Sequence, residues 1–391
     1  MLNINRHKII ALFIITLFCL SCNHKKKGNV IDSNAYIPLP KTVLSPKENP
    51  TSPEKTALGK LLFYDPILSG NRDVACASCH HPEFGYAEFV DISIGVNGEG
   101  LGNNRRFKKP NDIPFVKRNA HTILNTAFNG INAAGNYSPE KAPMFWDLRV
   151  QSLEDQALAP IKSFEEMRGH SIAEKDILDS VVNRLQNIPE YVAYFKKAFG
   201  TSNAISSTNL AKAIAAFERT LVTNNSRFDQ YIAGDSTALS LSEKEGFKLF
   251  KKAKCTSCHL GPMFSDFKVH TLGVPDNEKL PVSDDGFEKK YGFRTPTLRN
   301  LRYTAPYMHT GKFKNLQEVL EFYEDISSGV AKNQHVSYQQ IDPLIKKVNI
   351  KVIDMKPIIY FFNSLNDEHF DKTVPEKVPS KLPVGGNIYS H

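Results

Sequence analysis

The chain has 391 residues, 41% of them hydrophobic, with a formal net charge of +8 and six cysteines. That length and apolar content suffice for two separate cores, so two domains are the natural division. The basic residues are not interleaved with aromatics in the pattern that nucleic-acid binding requires, and nucleic acid is excluded as a partner.

At the amino terminus, residues 1–21 read as a processing segment: Arg6 and Lys8 form a basic start, Ile9 to Leu20 is apolar, and Cys19-Leu20-Ser21-Cys22 follows. The apolar run is shorter than the ~20 residues of a membrane helix. It resembles a bacterial lipoprotein signal, which implies an exported, periplasm-facing protein anchored to a membrane by lipid on Cys22. An uncleaved anchor and plain secretion are the alternatives. Residues 22–50 are polar and rich in proline and lysine, including Lys25-Lys26-Lys27, and predict a flexible tether. Ser52-Pro53 then supplies the cap and first turn of a helix to Phe63.

Cys76-Ala77-Ser78-Cys79-His80 follows, and the pattern recurs at Cys255-Thr256-Ser257-Cys258-His259. Two thiols and an imidazole at this spacing can thioether-link a haem and ligate its iron. A thioredoxin-like pair needs no histidine at that position, and a zinc ribbon would use four cysteines across two knuckles. Chance matches expected from this composition number roughly 0.003, so two matches are not accidents. With four thiols committed, only Cys19 and Cys22 remain, and no disulfide is expected.

Between Asp91 and Pro114 the chain is rich in glycine and asparagine and predicts a long surface loop. Helical periodicity then dominates, over Ile172–Leu185, Pro189–Phe199 and a longer helix with Leu210, Ile214, Phe217 and Leu221 on one face. Thr223 to Ser240 is polar and holds the expected domain boundary, giving domains over 51–233 and 234–371. Ser242 with Glu245 predicts a capping box that starts a helix into Lys252. Each Cys-X-X-Cys-His run is entered from a helix with Leu-Phe near its end, Leu62-Phe63 and Leu249-Phe250, a trace of internal duplication. Asn315 caps a helix carrying Leu316, Val319, Leu320 and Tyr323, and Ile350–Leu365 forms a last apolar helix. Residues 372–391, rich in proline and lysine, predict a disordered tail. The fold class expected is mainly α, with two cytochrome c-like domains that each hold one covalent c-type haem.

Met144-Phe145-Trp146-Asp147-Leu148-Arg149, Ser152-Leu153-Glu154-Asp155-Gln156-Ala157, Glu165-Glu166-Met167, Thr295-Pro296-Thr297-Leu298-Arg299-Asn300 and Thr304-Ala305-Pro306-Tyr307-Met308-His309-Thr310-Gly311 lie between and after the two motifs. In that order they resemble the bacterial di-haem cytochrome c peroxidase family, which includes the enzyme that matures the methylamine dehydrogenase cofactor. The resemblance implies a peroxide site at the first haem, with His80 as proximal ligand, and electron entry through the second, with His259. Trp146, the only tryptophan, matches the residue between the haems. Gln156 and Glu166 match the distal pocket, Glu166 as acid/base, because peroxide cleavage needs a group that takes up a proton and returns it. Glu165 competes for that role, and Glu154 is expected to be a solvated helix residue. Asn119, Thr304 and Pro306 match a calcium site between the domains, with oxygen donors suited to that ion.

Two positions depart from the reductively activated members. Val96 follows Ser93-Ile94-Gly95, where those members have a blocking histidine; valine cannot ligate iron. His81 is poorly placed to replace it, and His121 is read as structural or propionate-contacting, with ligation as the alternative. The family position for the second haem's sixth ligand falls on Tyr323, where the resemblance implies methionine in classical members and tyrosine in the cofactor-maturing one; Met308 is its rival, and a plain core aromatic is the remaining reading. The expected function is reduction of hydrogen peroxide with electrons from a small c-type cytochrome, a cupredoxin or a quinol-linked donor, with a homodimer left open. A high-valent oxidase acting on a partner protein and a non-enzymatic electron carrier are the alternatives.

Overall fold

The computed structural model describes residues 36–389. The expected signal, Cys22 and the lysine run lie outside the described residues. Among the described residues, no helix is long and apolar enough to cross a membrane.

Among the described residues, nine α-helices account for most of the regular structure: α1 (Pro53–Tyr64), α2 (Leu153–Lys162), α3 (Ile177–Gln186), α4 (Pro189–Phe199), α5 (Ser207–Glu218), α6 (Arg227–Ile232), α7 (Leu241–Lys252), α8 (Leu316–Ser327) and α9 (Val352–Asn363). The strands among the described residues form three antiparallel pairs, each strand only two or three residues long. The structure is therefore mainly helical, as expected.

Two helix crossings of the same construction organise it. On α1, a Cβ at Gly59 would lie 1.9 Å from the Ala213 carbonyl oxygen and 3.0 Å from Phe217 Cβ of α5. On α7, a Cβ at Gly246 would lie 1.9 Å from the Pro357 carbonyl oxygen and 3.0 Å from Phe361 Cβ of α9. Glycine permits this backbone contact because nothing projects from its Cα. Each crossing carries its own core. Around the first pack Leu58, Leu62, Val181, Phe195, Leu210 and Ile214. Around the second, Phe228, Phe247, Phe250, Phe264 and Phe361 meet at ring centroid distances of 5.0–6.5 Å, mostly edge to face. Such aromatic pairs each add about 0.5–1.5 kcal/mol beyond burial.

Four expectations are corrected. The capping box of α7 is Ser240 with Glu243: Ser240 Oγ accepts from the Glu243 N–H, and the Glu243 carboxylate accepts from the Ser240 N–H and pairs with Arg227. The described part of the expected tether packs on the body instead. Tyr36 is buried among Phe228, Phe247 and Phe264, and its hydroxyl donates to the His259 carbonyl at 2.9 Å. The expected disordered tail is likewise packed: Val378 and Ile388 are buried, and Ser380 Oγ donates to Asp65 at 2.6 Å. Ser78 Oγ, inside the first motif, donates to the Gly385 carbonyl at 2.7 Å. Finally, the expected surface loop is pinned from within. Buried Arg105 donates to the Ile94 and Gly100 carbonyls at 2.6 and 3.0 Å and pairs with buried Glu88, while Ile92, Ile94 and Val96 are buried.

Candidate haem sites and the wall between them

Both Cys-X-X-Cys-His runs fold as one 3-10 turn, over Cys76–Ser78 and Cys255–Ser257. The histidine N–H closes on the first cysteine's carbonyl at 3.0 Å in each case. Cys76, Cys79 and His80 thereby line one cavity, and Cys255, Cys258 and His259 line another. His80 Nδ1 lies 3.0 Å from the Tyr86 carbonyl oxygen, and His259 Nδ1 lies 2.8 Å from that of Phe264. A carbonyl only accepts, so Nδ1 carries the proton and Nε2 keeps the lone pair that binds iron. Burial pushes both imidazoles below their ordinary pKa, partly offset by these hydrogen bonds, so both are in the neutral, ligating form.

A further observation fits haem. Arg294 lines the second cavity, is buried, and has no carboxylate partner among the described residues. Desolvation lowers its pKa only to about 10, so it stays charged. A buried cation requires an anion, and haem propionates supply that chemistry.

The first cavity is the more polar of the two. It measures about 480 Å³ and is bordered by Gln156 from α2, Glu165, Glu166, Arg149, Arg118 and Glu218. Phe164–Arg168 winds as one π turn, with the N–H groups of Arg168 and Gly169 reaching five residues back to Ser163 and Phe164, both at 2.9 Å. A π turn re-aims its side chains and recurs at functional sites. Here it is clamped from both sides, since a Cβ at Gly70 would lie 1.8 Å from the Arg168 oxygen and one at Gly95 2.3 Å from both the Glu165 and Glu166 oxygens. The Glu166 carboxyl is pushed up to about 7, chiefly by burial, with Arg149 opposing and Glu165 adding to the shift. Val96 donates its N–H to the Glu165 carbonyl at 3.1 Å, and its buried side chain packs towards Gly169. His81 is buried, with Nδ1 accepting from the Glu83 N–H at 3.3 Å.

Asn119, His121, Thr126 and Trp146 border both cavities and form the wall between them. The Trp146 indole donates to the Asn119 carbonyl at 3.0 Å, and its own carbonyl accepts from the Arg294 N–H at 2.7 Å. His121 and His309 meet its ring edge to face at 5.7 and 6.2 Å. The Asn119 side-chain amide donates to the Val90 carbonyl at 2.7 Å, which leaves Oδ1 as its free donor atom for a cation. Asn119, Thr304 and Pro306 border the same cavity.

The second cavity, about 170 Å³, is lined mostly by apolar groups, among them Leu272, Val274, Leu320, Ile345 and Phe362. Tyr323 from α8 and Met308 both border it with His259. Burial raises the Tyr323 phenol, with Cys258 and Cys255 adding to the shift, and its hydroxyl has no hydrogen-bond partner among the described residues. Met308 packs with Val274 and Ile326 in an apolar cluster.

Glu154 is not solvated. Arg219 grips it with two contacts of 2.7 Å, and Asn49 donates to it at 2.7 Å. Burial alone would raise its carboxyl, but Arg219 holds it below the usual range. Sequence reasoning missed Arg149, Arg294 and Glu218. Arg149 stands inside the quoted Trp146 run, and Glu218 interrupts the apolar face of α5 one turn after Ile214; Arg294 gave no signal.

Two cavities, each with two thiols and a neutral histidine from the same turn, define a di-haem c-type protein. A family model described as di-haem cytochrome c peroxidase matches residues 53–237. The chain is 33% identical over 344 residues to the methylamine utilization protein MauG of Methylorubrum extorquens, covering 86% of this chain and 85% of that one. It is 34% identical over 299 residues to the cytochrome c551 peroxidase of Pseudomonas aeruginosa, covering 74% and 77%. Among solved structures it is similar to a MauG-like protein associated with microbial copper homeostasis, with a TM-score of 0.68 and 28% identity over 84% of this chain and 95% of that one. The chain belongs to the di-haem cytochrome c peroxidase family and is an oxidoreductase.

Proposed function

We propose that this protein reduces hydrogen peroxide to water at the first cavity, taking two electrons from a small redox donor through the second. The two haems supply the electron exchange when bound. The observation that carries the reading is Glu166: a buried carboxyl with its pKa near neutrality, on a clamped π turn, in the same cavity as His80 and Gln156. As a carboxylate it accepts a proton from peroxide and, once protonated, gives it to the departing oxygen. Gln156 offers an amide to orient peroxide, and Arg149 keeps the carboxylate form accessible. Trp146, in the wall, is the side chain through which electrons cross. Asn119 Oδ1 with the Thr304 and Pro306 carbonyls would hold a calcium ion that stiffens this wall. The two glycine crossings support one cytochrome c-like domain on each side, the second beginning with α6 rather than at residue 234, because Phe228 packs in the second core.

Val96 offers no ligand where a blocking histidine would stand, so the ferric protein should react without prior reduction. Mixing it with stoichiometric peroxide in a stopped-flow spectrometer tests this. A rapid Soret change is expected, and a bis-histidine spectrum that responds only after one-electron reduction would refute it.

A second reading, an oxidase acting on a partner protein, is favoured by Tyr323, since an anionic oxygen donor stabilises oxidised iron. Tyr323→Phe should then change the ferric spectrum of one haem only. Consumption of a protein side chain in place of a reduced cytochrome would decide for this reading.

A further inference from the structure

We infer that the outer wall of the second cavity is the docking face for an electron-carrying protein whose contact surface is acidic. This rests on the peroxide-reducing reading and names the partner of its second cavity. Two segments meet there. Lys251-Lys252-Ala253-Lys254 ends α7 and runs into Cys255, and Lys346-Lys347-Val348-Asn349-Ile350-Lys351 leads into α9. The Asn349 N–H donates to the Ala253 carbonyl at 3.1 Å and joins them. Lys254, Cys255, Val348 and Ile350 line the second cavity, so the strip is that cavity's own wall.

With Lys356, these two segments and the start of α9 carry seven lysines and one acid, Asp354. Lys252, Lys254, Lys347, Lys351 and Lys356 are exposed. The ion pairs of α7 stop at Lys248–Glu245, and none involves these seven lysines among the described residues. Between Lys351 and Lys356, Val352 and Ile353 are 70% and 82% exposed. An apolar pair rimmed by charge has the anatomy of an interface. Unpaired like charges repel one another, and an acidic partner both relieves that repulsion and is steered to the face. A carrier seated there lies against the wall of the second haem's cavity, an advantage a lipid surface would not exploit.

Horse heart cytochrome c, native and basic or fully succinylated and acidic, serves as reductant for the holoenzyme turning over peroxide, with the dye ABTS as a small control donor. The succinylated protein should be oxidised faster than the native one, and added salt should slow it. Combining Lys252→Glu, Lys347→Glu and Lys351→Glu should lower the rate with succinylated cytochrome on the order of tenfold, raise it with native cytochrome, and leave the ABTS rate unchanged. Val352→Ser with Ile353→Ser should lower the cytochrome rate without changing its salt dependence. Equal rates for both cytochromes in wild type and charge-reversed protein, with ABTS turnover intact, would overturn the docking face alone. Absence of ABTS turnover in the wild type would overturn the peroxidase reading and this inference with it. Unchanged cytochrome rates with lost binding to phosphatidylglycerol vesicles would assign the face to a membrane and overturn the redox partner.

Discussion

The two cavities are built on the same local plan and differ in what faces the histidine. In both, a helix crossed at a glycine delivers the chain to a 3-10 turn, and a backbone carbonyl fixes the imidazole tautomer. The first cavity then presents Gln156, Arg149 and two glutamates, while the second presents a phenol, a thioether and aliphatic side chains. The more polar cavity, with a carboxyl titrating near neutrality, can move protons. An apolar one with a phenol or thioether available to the iron would suit electron passage. The scaffold is shared, and chemistry is assigned by the loops that cover it.

The comparison breaks most sharply at Glu166. Glu166→Gln keeps the shape and removes the proton acceptor, so peroxide turnover should fall by about 10²- to 10⁴-fold with two irons per chain retained. The nearest equivalent on the other side, Tyr323→Phe, should leave the ferric protein's first reaction with peroxide intact. Turnover close to wild type in Glu166→Gln would move the role to Glu165.

The shared scaffold makes the next expectation. Gly59→Ala and Gly246→Ala each place a methyl 1.9 Å from a carbonyl oxygen, with a phenylalanine Cβ behind it. Neither crossing can relax without parting two helices, so each substitution should cost about 1–3 kcal/mol in denaturant unfolding of the holoprotein. Similar losses at the two sites would support the same construction in both halves. A loss at one site alone would show that the halves bear load differently.

How much of this could be read from the sequence follows the range of the interactions involved. The two attachment turns, the Asn315 cap of α8 and the apolar faces of α4 and α5 are local patterns, and the chain displays them. The π turn is not legible: a reach of five residues has no periodic signature, and what holds it is backbone at Gly70 and Gly95, distant in sequence. The termini misled for the same reason. Low hydropathy and prolines suggested a tether and a disordered tail, yet Tyr36 packs beside the second motif and residues near Gly385 close over the first. Each end is held by contacts with residues far away in the chain. Arg294 was invisible because its meaning lies in a cavity that distant segments enclose.

The smallest effect separates two carboxyls of the first cavity. Burial pushes Glu166 up to about 7 and Glu218, on α5, up to about 8, with Arg149 and Arg219 opposing these shifts. Proton acceptance requires the ionised form, so turnover should fall by up to about tenfold per pH unit below the Glu166 value and level off above it. Glu218 borders the cavity beside Cys76, and among the described residues one of its oxygens has no partner and no hydrogen bond joins it to Glu166. Its ionisation should therefore appear in stability rather than rate. The unfolded carboxyl ionises near 4.5, so between that pH and about 8 the native state binds more protons than the unfolded one. Stability then falls as pH rises through this window, by at most about 1.4 kcal/mol per pH unit for this group. Glu218→Gln should remove that share of the slope in urea unfolding and leave the pH–rate profile in place; Glu166→Gln should abolish the profile. A profile that survives Glu166→Gln and disappears in Glu218→Gln would transfer the proton role from the π turn to α5.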